Sequence, residues 1–176
     1  MATKGGQTER AIQNKLLRPL RLKKIIKIIN KLPIISILDL GCMDDYILKR
    51  ISNKINYIGI DDEPLCENPR IQKKRVEEII KENKKYDLVM ATEVLEHLDN
   101  PVQGIETLKK LSKKYILISV PNEPFFSLFR FFMPAKEHLW TVFPQALRKH
   151  LGNPILETKA CFNRTYIGLW KIKESK

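Results

Sequence analysis

Four short apolar runs, each followed by a polar turn and a helix-like segment, constrain the fold more than any other feature of the chain. They are ISILDL (35–40), NYIGID (56–61), YDLVMA (86–91) and YILISVP (115–121). Their β-branched, largely apolar content is what strands buried on both faces require. Parallel strands cannot be joined by a tight turn, so the segments between them must cross over the sheet. YILKRIS (46–52), VEEIIKENKK (76–85), the stretch from VLEHLDN to about Lys113, and PQALRKHL (144–151) are expected to be helical. A weak third strand is expected within 69–76. The chain closes with ILETKACFN (155–163) and TYIGLWKIK (165–173), two strands with a short connection, which predict an antiparallel hairpin at one sheet edge.

Ahead of the first strand, residues 1–8 read as a loose tail and 9–18 as a helix ending near Pro19. Residues 20–32 read as a second helix, with Leu22, Ile25, Ile26, Ile29 and Leu32 on one side and Lys23, Lys24, Lys27 and Lys31 on the other. Residues 1–32 are therefore expected to be a basic tail and helices packing on a domain that runs over 33–176. The 176 residues suit a single domain overall. Of the formal +12 charge, residues 1–31 hold +8, from nine basic residues against Glu9. Such a cluster suits phosphates or an anionic membrane surface, or is simply a solvated helix face.

Hydrophobic residues at 43% and charged residues at 30% argue against disorder and against a disulfide scaffold. Cys42, Cys66 and Cys161 form no CxxC pair, which predicts reduced thiols in a cytoplasm and no zinc site. No apolar run approaches the ~20 residues of a membrane span. Lys and Arg interrupt the apolar residues near the N-terminus, so no signal-peptide core is expected there.

In parallel α/β sheets ligands sit at the carboxyl ends of the strands. The first such tip, in ILDLGCMDDYIL, places Asp39 at a strand end, then Gly41 and a tight turn, the arrangement that presents backbone N–H groups to a ligand. Asp61, 22 residues further on, ends the next strand, a spacing that suits a carboxylate accepting ribose hydroxyls. Together with YDLVMATEVLEHL and the terminal hairpin, the pattern resembles the class I S-adenosylmethionine-dependent methyltransferases over roughly residues 35–173. VLEHL, ISVPNEPFF and EHLWTVF resemble most the small ubiquinone-biosynthesis-type O-methyltransferases and their relatives.

That resemblance implies an α/β fold, a Rossmann-like three-layer αβα sandwich. Its seven-stranded sheet would be mostly parallel with an antiparallel C-terminal hairpin. It implies S-adenosylmethionine as cofactor, with Asp39, Gly41, Cys42 and Met43 around the methionine part, Asp61 and Asp62 at the ribose, and Ala91, Thr92 and Glu93 at the fourth strand tip. Two departures stand out. Met43 and Asp45 occupy positions where the family turn has glycine, and Arg75 stands near the place where the family tends to carry an adenine-contacting Asp.

A hydroxyl or amine acceptor needs a proton acceptor. Glu93, Glu96 and His97 are spaced i, i+3, i+4, which on a helix shares one face, and His138 follows in the loop KEHLW. His97, Glu96 and His138 are the catalytic candidates. The same groups could hold a divalent metal, as in the small-RNA 3′-end 2′-O-methyltransferases that carry a similar set. The plain alternative is that Glu96 caps a helix or pairs with a lysine while His97 packs beneath the sheet edge.

PFFSLFRFFMP (124–134) either completes the core or forms a lid, a substrate mouth, an interfacial segment or a base-stacking surface. The expected function is methyl transfer to an oxygen, less readily a nitrogen, of a small or lipid-like acceptor. The basic N-terminal helices would supply a peripheral membrane or RNA contact. A non-catalytic binding or scaffold relative and an RNA 2′-O-methyltransferase are the rival readings.

Overall fold

A computed structural model describes residues 17–81, 83–122 and 140–172. The tail, the expected helix over 9–18 (all but its last two residues), the aromatic segment 124–134 and His138 lie outside them. Seven strands form one sheet: β1 (Ser36–Leu40), β2 (Asn56–Asp61), β3 (Ile71–Lys73), β4 (Tyr86–Thr92), β5 (Ser112–Pro121), β6 (Leu156–Ala160) and β7 (Thr165–Lys171). Their order is β3-β2-β1-β4-β5-β7-β6. The first five are parallel, while β7 runs antiparallel between β5 and β6. This is the Rossmann-like α/β arrangement expected, with the hairpin at the edge.

Alternation of side chains along the strands fills two cores. Ile37, Tyr57, Leu88, Met90, Leu117 and Ile167 belong to one. Leu38, Leu40, Val89, Ala91, Ile116 and Trp170 belong to the other. Helix α1 (Arg18–Ile29) covers the first through Leu22, Ile25, Ile26, Ile28 and Ile29. Helices α2 (Pro101–Leu111) and α3 (Pro144–Leu151) cover the second, through Ile105, Leu108 and Leu111 and through Leu147. Pro19 lies in the first turn of α1, where its fixed φ and missing N–H are tolerated. It opens the described helix.

Two expected helices shrink to short 3-10 segments, Leu48–Arg50 and Val76–Lys81. In the first, the Asp44 carboxylate accepts from Tyr46 N at 2.9 Å. Local bonding of this kind competes with helix propagation, and so short a stretch has little cooperative gain to set against it. In the second, Ile79 is buried in the core and Val76 packs against it. The segment after β4 also divides, into a 3-10 turn over Leu95–His97 and then α2. Asn100 caps α2, accepting from Gln103 N at 3.1 Å, with Pro101 following.

Candidate functional site

The turn after β1 begins at Gly41, with φ +68°, whose N–H donates to Ile60 O at 2.7 Å. A Cβ there would stand 2.3 Å from Val94 Cγ2, so backbone angle and space both demand glycine. Met43 is also left-handed, at φ +64°. Its N–H donates to Asp61 Oδ2 at 2.7 Å, and Asp61 Oδ1 accepts from Glu63 N at 3.0 Å. Asp61 thus pins the turn from the end of the neighbouring strand. Asp45 has no left-handed backbone; it pairs with Lys49 at 2.9 Å and Asn68 at 3.3 Å.

Helix α1 lies against this turn. Arg18 makes a bidentate pair with Asp44, at 2.9 and 2.8 Å, and reaches Cys42 O at 3.3 Å. One helical turn on, Arg21 pairs with Glu93 at 3.6 Å. The hairpin joins from the other side, with Cys161 Sγ donating to Leu17 O at 3.1 Å.

Glu93, just past β4, is left-handed at φ +59°, and its N–H donates to Ser119 O at 2.9 Å. Glu93 Oε1 accepts from Ser119 Oγ at 3.1 Å. Burial raises its carboxyl above the usual range, against the opposing pull of Arg21, Ser119 and His97. This backbone reversal overturns the single helix face expected for Glu93, Glu96 and His97. A left-handed residue cannot open a helix, and one 3-10 turn leaves Glu96 buried and His97 exposed.

These elements enclose a cavity of about 480 Å³ at the carboxyl ends of the strands. Of the expected cofactor residues, Gly41, Cys42, Met43, Asp61, Asp62, Thr92 and Glu93 line it, as do Glu96 and His97. Asp39 does not. Its side chain is 1% exposed and accepts from Tyr57 Oη at 2.6 Å. Burial raises the Asp39 carboxyl to about 7, and the hydrogen bond from Tyr57 and the charge of Arg18 hold it from going higher. Ala91 is buried on the core side of β4. Burial also lifts the Cys42 thiol well above its ordinary range. Among the described residues, no three His, Cys, Asp or Glu side chains gather as a metal-holding group.

A family model described as a methyltransferase domain matches residues 8–153. The chain belongs to this family. Its fold is that of the class I S-adenosylmethionine-dependent methyltransferases. No curated protein sequence matches the chain significantly. Among solved structures, a methyltransferase of Archaeoglobus fulgidus is 23% identical over 86% of this chain and 91% of that one, with a TM-score of 0.65. The magnesium protoporphyrin IX methyltransferase of Synechocystis PCC 6803, with bound SAH, is 14% identical over 87% of this chain and 82% of that one, with a TM-score of 0.67. A chain from the Haloferax volcanii complex of the Trm112 methyltransferase activator with a methyltransferase is 10% identical over 99% of both, with a TM-score of 0.73. At these identities the likeness is one of fold.

The cavity of this methyltransferase domain has walls that sequence reasoning missed. Arg18, Arg21 and Leu22 come from α1 and Leu17 from its N-cap, and Cys161, Arg164 and Thr165 come from the hairpin. A signal for the first group was present. Arg18 and Arg21 fall in register with Leu22, Ile25 and Ile29 along the apolar stripe, whereas the lysines occupy the opposite side. An arginine in an apolar stripe suits a partly buried, bidentate role that lysine does not.

Proposed function

We propose that the protein transfers a methyl group from S-adenosylmethionine to an oxygen, less readily a nitrogen, of a small or lipid-like acceptor. The observation that carries this reading is the convergence of the Gly41–Met43 turn, Asp61 and the Thr92–Glu93 tip on one cavity. Its volume lies within the range of pockets that hold small ligands. The residues fit a nucleoside joined to an amino acid. A carboxylate has about four acceptor sites, and Asp61 commits two of them to backbone N–H groups, leaving capacity for ribose hydroxyls. Cys42 and Met43 in the turn, with Arg18 against that turn and Arg21 beside Glu93, would flank the amino-acid part.

When bound, the cofactor supplies an activated methyl group on a good leaving group. The chain's own task is then chiefly to position the acceptor. His97, on the cavity wall and exposed, is placed to take the acceptor's proton, and buried Glu96 lines the same wall. Met43 bears on the rival scaffold reading. The turn keeps the left-handed conformation that glycine would supply, although a methionine must be strained to hold it. Retention of the cradle's shape at that cost supports a ligand-binding role.

Calorimetric titration with S-adenosylmethionine and S-adenosylhomocysteine tests the reading. Binding of both, followed by methyl transfer in a screen of hydroxylated acceptors, is the expected outcome. Absence of binding by either, in protein that melts cooperatively, would overturn it and favour the scaffold.

A further inference from the structure

The solvent side of α1 and the tip of the β6–β7 hairpin form one surface beside the cavity. Leu20, Lys23, Lys24, Lys27 and Lys31 are exposed along α1 and the residue turn that ends it, and α1 itself contains no acidic residue. Two contacts fix the hairpin against the helix: Cys161 Sγ to Leu17 O, and Lys24 Nζ to Lys159 O. Residues 17, 20 and 24 share one helix side, so Leu20, 42% exposed, lies alongside the hairpin tip.

The tip is unusual in its backbone. Cys161, Phe162 and Asn163 are left-handed in succession, at φ +53°, +55° and +73°, a conformation unfavourable for L-residues. Asn122 holds it there, donating from Nδ2 to Asn163 O and from its backbone N to Arg164 O, both at 2.8 Å. The result is a phenyl ring at the apex, 84% exposed, with Lys159 and Arg164 exposed on either side.

We propose that this surface docks the protein on an anionic lipid bilayer. Phe162 and Leu20 enter the headgroup boundary, and Lys23, Lys27, Lys31, Lys159 and Arg164 meet the lipid phosphates. Apolar side chains beside the lysines of an acid-free helix are the interfacial combination, the exposed Glu157 of β6 being held in its pair with Arg148 at 2.6 Å, and the long lysine stems let their ammonium groups reach the phosphates while the helix stays packed. One exposed ring beside a leucine is a poor match to the successive stacking platforms of single-strand binders. Arg18, Arg21, Cys161 and Arg164 belong to the same two elements and line the cavity, so docking brings that side of the cavity to the bilayer. The inference goes beyond methyl transfer and does not depend on it.

Sedimentation of the full chain with vesicles tests it. Vesicles of phosphatidylcholine with phosphatidylglycerol should carry the protein down at low salt, and phosphatidylcholine alone should not. Phe162→Asn keeps a residue that tolerates the left-handed backbone and removes the ring; it should lower partitioning about tenfold. Leu20→Gln should lower it less. The double variant Lys23→Glu, Lys27→Glu should abolish the preference for anionic vesicles. None of these four residues lines the cavity, so cofactor titration should be unchanged. Equal sedimentation with both vesicle types, or variants that partition like the parent, would overturn the proposal. So would single-stranded RNA binding with a steep salt dependence and no vesicle binding, which would assign the surface to nucleic acid.

Discussion

Replacing Asp61 by alanine tests the site and the fold together. Asp61 accepts two backbone N–H groups, from Met43 at 2.7 Å and Glu63 at 3.0 Å. Hydrogen bonds to a charged group contribute about 1.5–3 kcal/mol each. Because Asp61 is only partly buried, the lower end applies, about 3 kcal/mol for the pair. For a chain of 176 residues, with roughly 2–4 °C lost per kcal/mol, the melting temperature should fall by roughly 6–12 °C. Loss of the acceptor for ribose hydroxyls should also weaken S-adenosylhomocysteine binding by about tenfold or more, since ~1.4 kcal/mol is one decade. Asp61→Asn keeps one acceptor oxygen but turns an amide donor toward the other N–H, so it should lose about half of that stability. Thermal denaturation and calorimetric titration provide the readouts. An Asp61→Ala protein whose melting point and affinity both match the parent would refute the role of Asp61 as the pin of the β1 turn.

Two further substitutions probe the neighbourhood. Met43→Gly removes left-handed strain of about 1–2 kcal/mol and adds about 0.5–1 kcal/mol of backbone freedom to the unfolded chain. Its melting temperature should hold or rise by a few degrees, while cofactor affinity rises as the side chain leaves the cavity wall; a fall in both would contradict this. Asp39→Asn keeps an acceptor for Tyr57 and removes an ionisable group whose folded value, about 7, lies above its ordinary 3.8. The folded state binds the Asp39 proton more tightly, so the aspartate's contribution to stability falls as pH rises from about 4 to about 7. The asparagine variant should therefore gain on the parent at pH 8, by at most on the order of 4 kcal/mol, and the gain should vanish near pH 4. Urea denaturation at the two pH values measures it, and an equal difference at both would exclude titration of Asp39 as the cause.

What could be read from sequence follows from the range of the interactions involved. The strands β1, β2, β4, β5 and β7 announce themselves because burial on both faces demands contiguous apolar residues, and Gly41 and Asp61 because a strand end fixes their place. Helix 46–52 failed because Asp44 turns the local backbone to its own carboxylate, a choice that hydropathy does not report. The Glu93, Glu96 and His97 face failed for a similar reason. Its helical spacing presumes right-handed backbone at residue 93, and packing against Ser119 and Arg21 sets the opposite hand. The place of Asp39 at a strand end predicts a ligand-side residue, yet the pleat turns it toward Tyr57 and the core. The whole-chain charge proved a mixed signal: the lysines of α1 face solvent, while Arg18 and Arg21 line the cavity.

The hydrogen bond between Cys161 and Leu17 spans 144 residues, and it joins two walls of the same cavity. During synthesis the β1 turn, Asp61 and the β4 tip emerge well before the hairpin that closes the opposite side. A nascent chain that has not yet delivered β7 presents half a cradle, with α1 lacking its neighbour and the β5 edge uncovered. Ligand binding should thus be an all-or-none property acquired at the end of folding, in a topology whose distant pairings make that final step slow. A small molecule that binds only the closed cavity would then act on the last folding transition and leave the earlier ones untouched.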